Sequence, residues 1–184
     1  MDSVRGQLLI AGPALSDPNF WRTVVLVVEH TAEGAFGFVL NRPSETHVGE
    51  ALPQLETMID LVDLEDRLFV GGPVQPSAVI VLAEFEDPGD AALLAFDEIG
   101  VLGADSSTGE SAAGLRRGRA FAGHAGWGPG QLDEELERGD WIPEPASGAD
   151  AFCAQPSDLW SAVLTRKGGR YALLARMPPD PSLN

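Results

Sequence analysis

Apolar residues along this chain come in short runs broken by glycine, proline and acids, a pattern that favours strands over long helices. "GQLLIAG" at 6–12 closes on Gly12 and Pro13 and reads as a buried strand. "SDPNFW" follows as a turn, in which Ser16 and Asp17 can bond their own backbone and Pro18 fixes the bend. "RTVVLVVEH" has the β-branched content of a central strand. A short connection ending on Gly34 leads into "AFGFVLNR", so the two runs predict a hairpin. "ETHVGEALPQLE" predicts a short helix entered near Thr46 and ended around Pro53, whereas "MIDLVDLEDR" does not decide between helix and strand.

"LFVGGPV" and "AVIVLAEF" are the next strands, and the glycines and prolines between them forbid a helix there. "LLAFDEIGVL" and "RAFAGHAG" continue the strand character. "WIPEPASGADAFCA" reads as two short extended pieces, the second carrying Cys153 on one face, and "RYALLARM" reads as a last strand. Two segments carry helix signals. "PGQLDEELERG" has Pro129 at its start and Gly139 at its end, and "PSDLWSAVLTRKGG" spaces Leu159, Trp160, Val163 and Leu164 at helical intervals before Arg166 and Lys167. The small, polar segment 103–114 is linker-like and is expected to be a flexible loop. It is too short to separate two domains, so 1–184 reads as one domain. The expected class is α+β, with a mainly antiparallel or mixed sheet and a few flanking helices.

Charge changes the picture more than composition does. Twenty-eight acids oppose twelve bases, for a net charge of −16, and Lys167 is the only lysine. Binding nucleic acid needs a concentrated basic face. The local candidates are two triplets, Arg116, Arg117 and Arg119, then Arg166, Lys167 and Arg170. Such a surface suits a cation, a basic protein partner or a small molecule better than DNA. The lone Cys153 forbids an intramolecular disulfide, and the N-terminal stretch lacks a signal-peptide pattern, so the expected compartment is the cytoplasm, with no membrane attachment.

Taken together and in this order, "GQLLIAGPALSDPNFWRTVVLVVEH", "GAFGFVLNRP", "VGGPV" and "AGWGPGQLDEEL" followed by "GDWI" resemble the YqgE/AlgH family of bacterial proteins, from Gly6 to about Trp160. The resemblance implies an α+β fold whose bifurcated β-sheet curls into a pseudo-barrel, and a cytosolic protein. It implies no reaction, although some members are labelled regulators of transcription. Two departures stand out: His124 occupies a position where the family has an aromatic, usually Tyr, and 103–114 replaces a more regularly helical stretch.

The chemistry-bearing residues are few. His30, His47 and His124 show no metal-ligand spacing, and no nucleophile elbow or phosphate-binding glycine loop is present, so no metal, cofactor or catalytic residue is assigned. A Cys153–His124 dyad is conceivable, but a free cysteine is more often buried structure. Asp133, Glu134, Glu135 and Glu137 read as a solvated face matched to the helix dipole. Arg22, Asn41 and Arg42 sit at the ends of apolar strands, where a hairpin would gather them into a fork for a carboxylate or phosphate, or into internal ion pairs. In "GHAGWGPGQ" the glycines either shape a turn or leave N–H groups for an anion, with Trp127 as a lid and Gln131 as a donor. Arg22, Asn41, Arg42, Trp127 and Gln131 are therefore the candidate ligand-binding set. The expected function is non-enzymatic binding or regulation through a protein partner or small ligand. The alternative is an enzyme with its site between Arg22/Asn41/Arg42 and the Gly126–Gln131 loop. A DNA-binding regulator ranks behind both.

Overall fold

The computed structural model describes residues 2–15, 17–53, 63–103 and 114–178. The valine-rich run is wholly buried from Val24 to Val28 because both faces of its strand are covered. Side chains alternate across a strand. Leu8, Ile10, Val24, Leu26, Phe38 and Leu40 thus point to one side, where they meet Leu159, Trp160, Val163 and Leu164. Leu9, Ala11, Val25, Val27 and Val39 point to the other, where they meet Trp127, Leu132 and Trp141.

Among the described residues ten strands form the sheet: β1 (Gln7–Ala11), β2 (Val24–Thr31), β3 (Gly34–Val39), β4 (Pro43–His47), β5 (Asp63–Val70), β6 (Val74–Phe85), β7 (Leu93–Phe96), β8 (Ile99–Val101), β9 (Leu115–Trp127) and β10 (Trp141–Pro145). The main path runs β10-β1-β2-β3-β9-β6-β8-β7. The sheet forks at β9. Ala125 to Trp127 pair with β3, while residues 117–122 pair in parallel with β5, which in turn carries β4. All other pairings are antiparallel. The far end curls back: Arg5 donates to the Leu94 carbonyl, and the Gly6 backbone lies against Ala95 and Phe96. Among the described residues no strand pairing closes the ring between β7 and β10. The expected α+β class with a bifurcated, curled sheet is what is found.

Among the described residues the α-helices are α1 (Val48–Ala51), α2 (Gln131–Arg138), α3 (Gly148–Ala151), α4 (Leu159–Lys167) and α5 (Arg170–Leu174). None among the described residues is long and apolar enough to cross a membrane. Both helices signalled by periodicity are present. Three other expectations differ. The helix expected from Thr46 to Pro53 is a strand up to His47 and helical only over Val48–Ala51, because Pro43–His47 pairs with β5 and Ser44 Oγ donates to the Leu68 carbonyl at 2.7 Å. The extended piece expected around Cys153 begins as α3, whose Asp150 carboxylate accepts the backbone N–H and the hydroxyl of Ser147. "RYALL" is helical rather than a strand, and Tyr171 and Leu174 pack on the core after the chain turns at Gly168 and Gly169. Helices this short owe their state to packing, which local propensity cannot report. The undecided segment at 58–67 is part of β5 from Asp63, and the loop expected at 103–114 lies almost wholly outside the described residues.

Among the described residues β10 pairs only with β1, leaving an edge. Pro143 and Pro145 remove donors from it, Lys167 donates to the Pro143 carbonyl at 3.0 Å, and Arg166 donates to that of Pro145 at 3.5 Å. The basic end of α4 thereby blunts an edge that would otherwise template pairing with another chain.

Candidate functional site

Strand β9 carries Trp127 to the point where the chain turns into α2. Gly130 supplies a left-handed residue at the helix start, with φ 73°, and Gly139 ends the helix with φ 78°. Gln131 closes the turn by accepting the Gly128 N–H on Oε1 at 3.0 Å. Its amide nitrogen donates one helical turn ahead to Glu135 Oε1 at 2.9 Å. The other oxygen of Glu135 accepts two indole N–H groups, from Trp127 at 2.9 Å and from Trp141 at 2.7 Å. One half-buried carboxylate is thus held by three neutral donors. Sequence reading assigned Gln131 the role of donor to an anion and Glu135 that of a solvated acid. The signal for the observed arrangement is the four-residue spacing of Gln131 and Glu135 between two tryptophans.

The two indoles and Phe20 enclose an aromatic corner. The Trp127 and Trp141 rings are 6.0 Å apart and nearly perpendicular, and Phe20 packs edge-on to Trp141 at 5.4 Å. Beside it opens a recess of about 260 Å³, lined by these rings together with Gln131, Glu135 and Arg138. Asp17 and Asp140 complete its polar wall. Arg138 pairs with Asp140 at 2.8 Å, and this hydrogen bond, followed by the fields of Asp140, Glu135 and Glu134, holds the guanidinium pKa above its ordinary value. Trp127 is therefore both core and wall: its ring is buried, and it also borders the recess.

Arg22, Asn41 and Arg42 do gather at one end of the β2–β3 hairpin. Asn41 is buried at their centre, accepting the Val24 N–H and donating to the Arg22 carbonyl, each at 2.9 Å. Arg22 has φ 52° and lies over the Trp160 ring at 4.1 Å while donating to the Met177 carbonyl at 2.8 Å. Arg42 donates to the Trp21 and Asn41 carbonyls. Burial lowers both guanidinium pKa values. This trio and the Trp127–Gln131 pair do not meet. Trp160 belongs to the core on one face of the sheet and Trp127 to that on the other, and Trp127 pairs with Ala35 at the opposite end of β3 from Asn41.

Members of both basic triplets, Arg117, Arg119 and Arg166, converge on α3 and the residues after it. Arg119, only 2% exposed, donates to Glu65, to the Cys153 carbonyl at 2.9 Å and to that of Ala151 at 3.3 Å. Arg117 covers Phe152 at 4.5 Å and pairs with Glu84, and Arg166 pairs with Asp150. Most of these cations bind the protein's own acids. The histidines are dispersed: His30 accepts the Val4 N–H and faces Asp133, His47 pairs with Asp66, and His124 packs edge-on against Phe36 at 4.9 Å.

Comparison with known proteins places the chain. The AlgH-like family model matches residues 8–172. A UPF0301 protein of Thermobifida fusca is 43% identical, covering 99% of this chain and 96% of the relative, and one of Streptomyces coelicolor is 40% identical over 100% and 97%. Among solved structures, a protein of Corynebacterium diphtheriae superposes with a TM-score of 0.84 at 27% identity, covering 96% of this chain and 94% of that one. The AlgH protein of Pseudomonas aeruginosa superposes with a TM-score of 0.70 at 31% identity, covering 97% of each chain. By sequence along nearly its whole length and by fold, this chain belongs to the AlgH-like family.

Proposed function

We propose that this protein is a non-enzymatic, cytoplasmic binding protein that takes a small ligand, or a side chain of a partner, into the recess beside Trp127 and Trp141. The observation that carries the reading is the Glu135 carboxylate, fixed by three neutral N–H donors at the wall of a recess of about 260 Å³. Fixed polar groups against aromatic walls are the ordinary makeup of a small-molecule site, because the rings supply contact area and the polar groups set orientation. The enzyme alternative sets its site between Arg22, Asn41 and Arg42 and the glycine loop; Arg22 lies over Trp160, in the core on one face of the sheet, while Trp127 packs in that on the other, and this separation favours the binding reading. Nor is the hairpin-end trio the preferred site, since its polar groups already serve backbone carbonyls and an aromatic ring.

The test is a thermal-shift screen of small molecules on the whole chain, since anything bound by the folded state alone raises its melting temperature. The expected result is a saturable stabilisation that Phe20→Ala and Gln131→Ala weaken. Ligands that bind equally well to both variants, or that the protein converts into product, would contradict the reading.

A further inference from the structure

We infer that the recess recognises an organic cation, a guanidinium or alkylammonium group; the inference rests on the binding role proposed above and names the ligand's chemistry. Three carboxylates, Asp17, Glu135 and Asp140, border the cavity against one guanidinium, Arg138. The members of this set are not equivalent. Asp140 holds its counter-ion, with Arg138 Nη2 at 2.8 Å and Nε at 3.0 Å. Asp17 caps its own turn, accepting the Asn19 backbone and side-chain N–H groups. Glu135 differs, because its hydrogen-bond partners are two indoles and an amide. Neutral donors fix a carboxylate in place without cancelling its charge. Each Glu135 oxygen has two acceptor directions, and Oε1, which among the described residues takes Gln131 alone, keeps one for a further donor.

Phe20, Trp127 and Trp141 border the same recess. Ring faces carry negative electrostatic potential, so a cation that stacks on one of these rings gains from it as well as from the carboxylate. An anion would meet the carboxylates as repulsion. The turn before α2 offers it little in return, since Gln131 already takes the Gly128 N–H. The cavity has room for a small planar or tetrahedral head group, which is the part that a free amine and the tip of an arginine or lysine side chain have in common.

The experiment follows the Trp127 and Trp141 indole N–H resonances of the whole protein, assigned through Trp127→Phe and Trp141→Phe, at fixed ionic strength. N-methylguanidinium is titrated beside its neutral isostere N-methylurea and beside acetate. Saturable shifts with N-methylguanidinium, and responses to the other two weaker by about tenfold or more, are expected. Glu135→Gln should weaken the cation response by a similar factor while leaving that to N-methylurea unchanged. If that variant does not fold, the charge series on the unaltered protein decides alone. A capped Gly-Arg-Gly peptide separates the sources: binding about tenfold tighter than the free cation indicates a partner's arginine, and equal binding indicates a free small cation. Equal or stronger binding of N-methylurea or acetate would overturn the inference and leave the recess a binding site of other chemistry. No response to any probe, with no screened ligand sensitive to Phe20→Ala, would overturn both.

Discussion

The Trp141 indole N–H and the Glu135 carboxylate meet at 2.7 Å across the turn from α2 to β10, and the same oxygen takes the Trp127 indole at 2.9 Å. One helix acid thereby satisfies two tryptophans whose rings are buried in the core on that face. Glu135→Ala orphans both N–H groups, each costing about 1–3 kcal/mol if it stays dry. The expected loss is about 2–3 kcal/mol in urea unfolding. Glu135→Gln keeps an acceptor and should cost about half as much or less. A loss below about 0.5 kcal/mol for the alanine variant would mean that water reaches both indoles.

Asn41 fills the same role for backbone. It supplies an acceptor to Val24 and a donor to Arg22, whose φ of 52° takes the chain out of ladder geometry. Asn41→Ala should destabilise by about 2–4 kcal/mol, because two buried backbone groups lose their partners together. Asn41→Asp should be worse at pH 7 than at pH 3.5, since a carboxylate cannot donate to the Arg22 carbonyl and a carboxylic acid can. Chemical denaturation at the two pH values, each read against the unaltered protein, checks the sign.

The central strands and both long helices were legible in the chain, unlike β4 and the start of β5, because burial on two faces writes continuous apolar runs, and burial of one stripe writes helical spacing. Ser147–Gly148–Ala149–Asp150 carried a cap signal that the extended reading of "DAFCA" overlooked. "RYALL" carried none, and its helix exists by packing Tyr171 and Leu174 on the core. The site was half legible. Trp127 and Gln131 sit where the motif suggested and Trp141 follows shortly after them, but Phe20 reaches both tryptophans from a distant position in sequence. No local pattern encodes that approach.

Two glycines of the same motif should behave differently. Gly123 has φ 68°, and a Cβ there would lie 2.5 Å from the Gly72 carbonyl oxygen. Gly123→Ala should cost about 3 kcal/mol or more, from the left-handed backbone and the clash combined. At Gly126 the nearest atom to an added Cβ is 3.5 Å away, an ordinary contact. Gly126→Ala should change stability by no more than about 0.5 kcal/mol. Thermal melts of the two variants side by side test whether strand crossing, rather than the turn, explains the glycine density.

The pair Arg119–Glu65 anchors α3 to the fork of the sheet. Glu65→Ala leaves a buried guanidinium with only carbonyl partners and the Phe69 ring, at 4.3 Å. Burial already lowers the Arg119 pKa, opposed chiefly by the field of Glu65. Removing Glu65 should therefore cost about 2–4 kcal/mol, and Arg119→Leu with Glu65→Ala should recover part of that loss, because the uncompensated charge goes with it. A double-mutant cycle in urea measures the coupling. Strict additivity would reduce the pair to an ordinary surface contact.

Charge pairing also bears on nucleic acid. Arg116, Arg117 and Arg119 engage Glu84 and Glu65, while Arg166 and Lys167 engage Asp150 and Glu144. A phosphate backbone would have to displace carboxylates on a protein of net charge −16 before it released a counter-ion. The expectation is no retardation of duplex DNA even at low salt. Glu144→Gln with Glu84→Gln tests the cause, because it frees the cations of both triplets from one acid each. Should the double variant bind DNA with a steep salt dependence while the unaltered chain does not, intramolecular pairing is what silences the basic clusters. Retardation of the unaltered chain, abolished by Arg170→Ala or Arg116→Ala, would instead make these clusters a nucleic-acid contact and displace the recess as the centre of function.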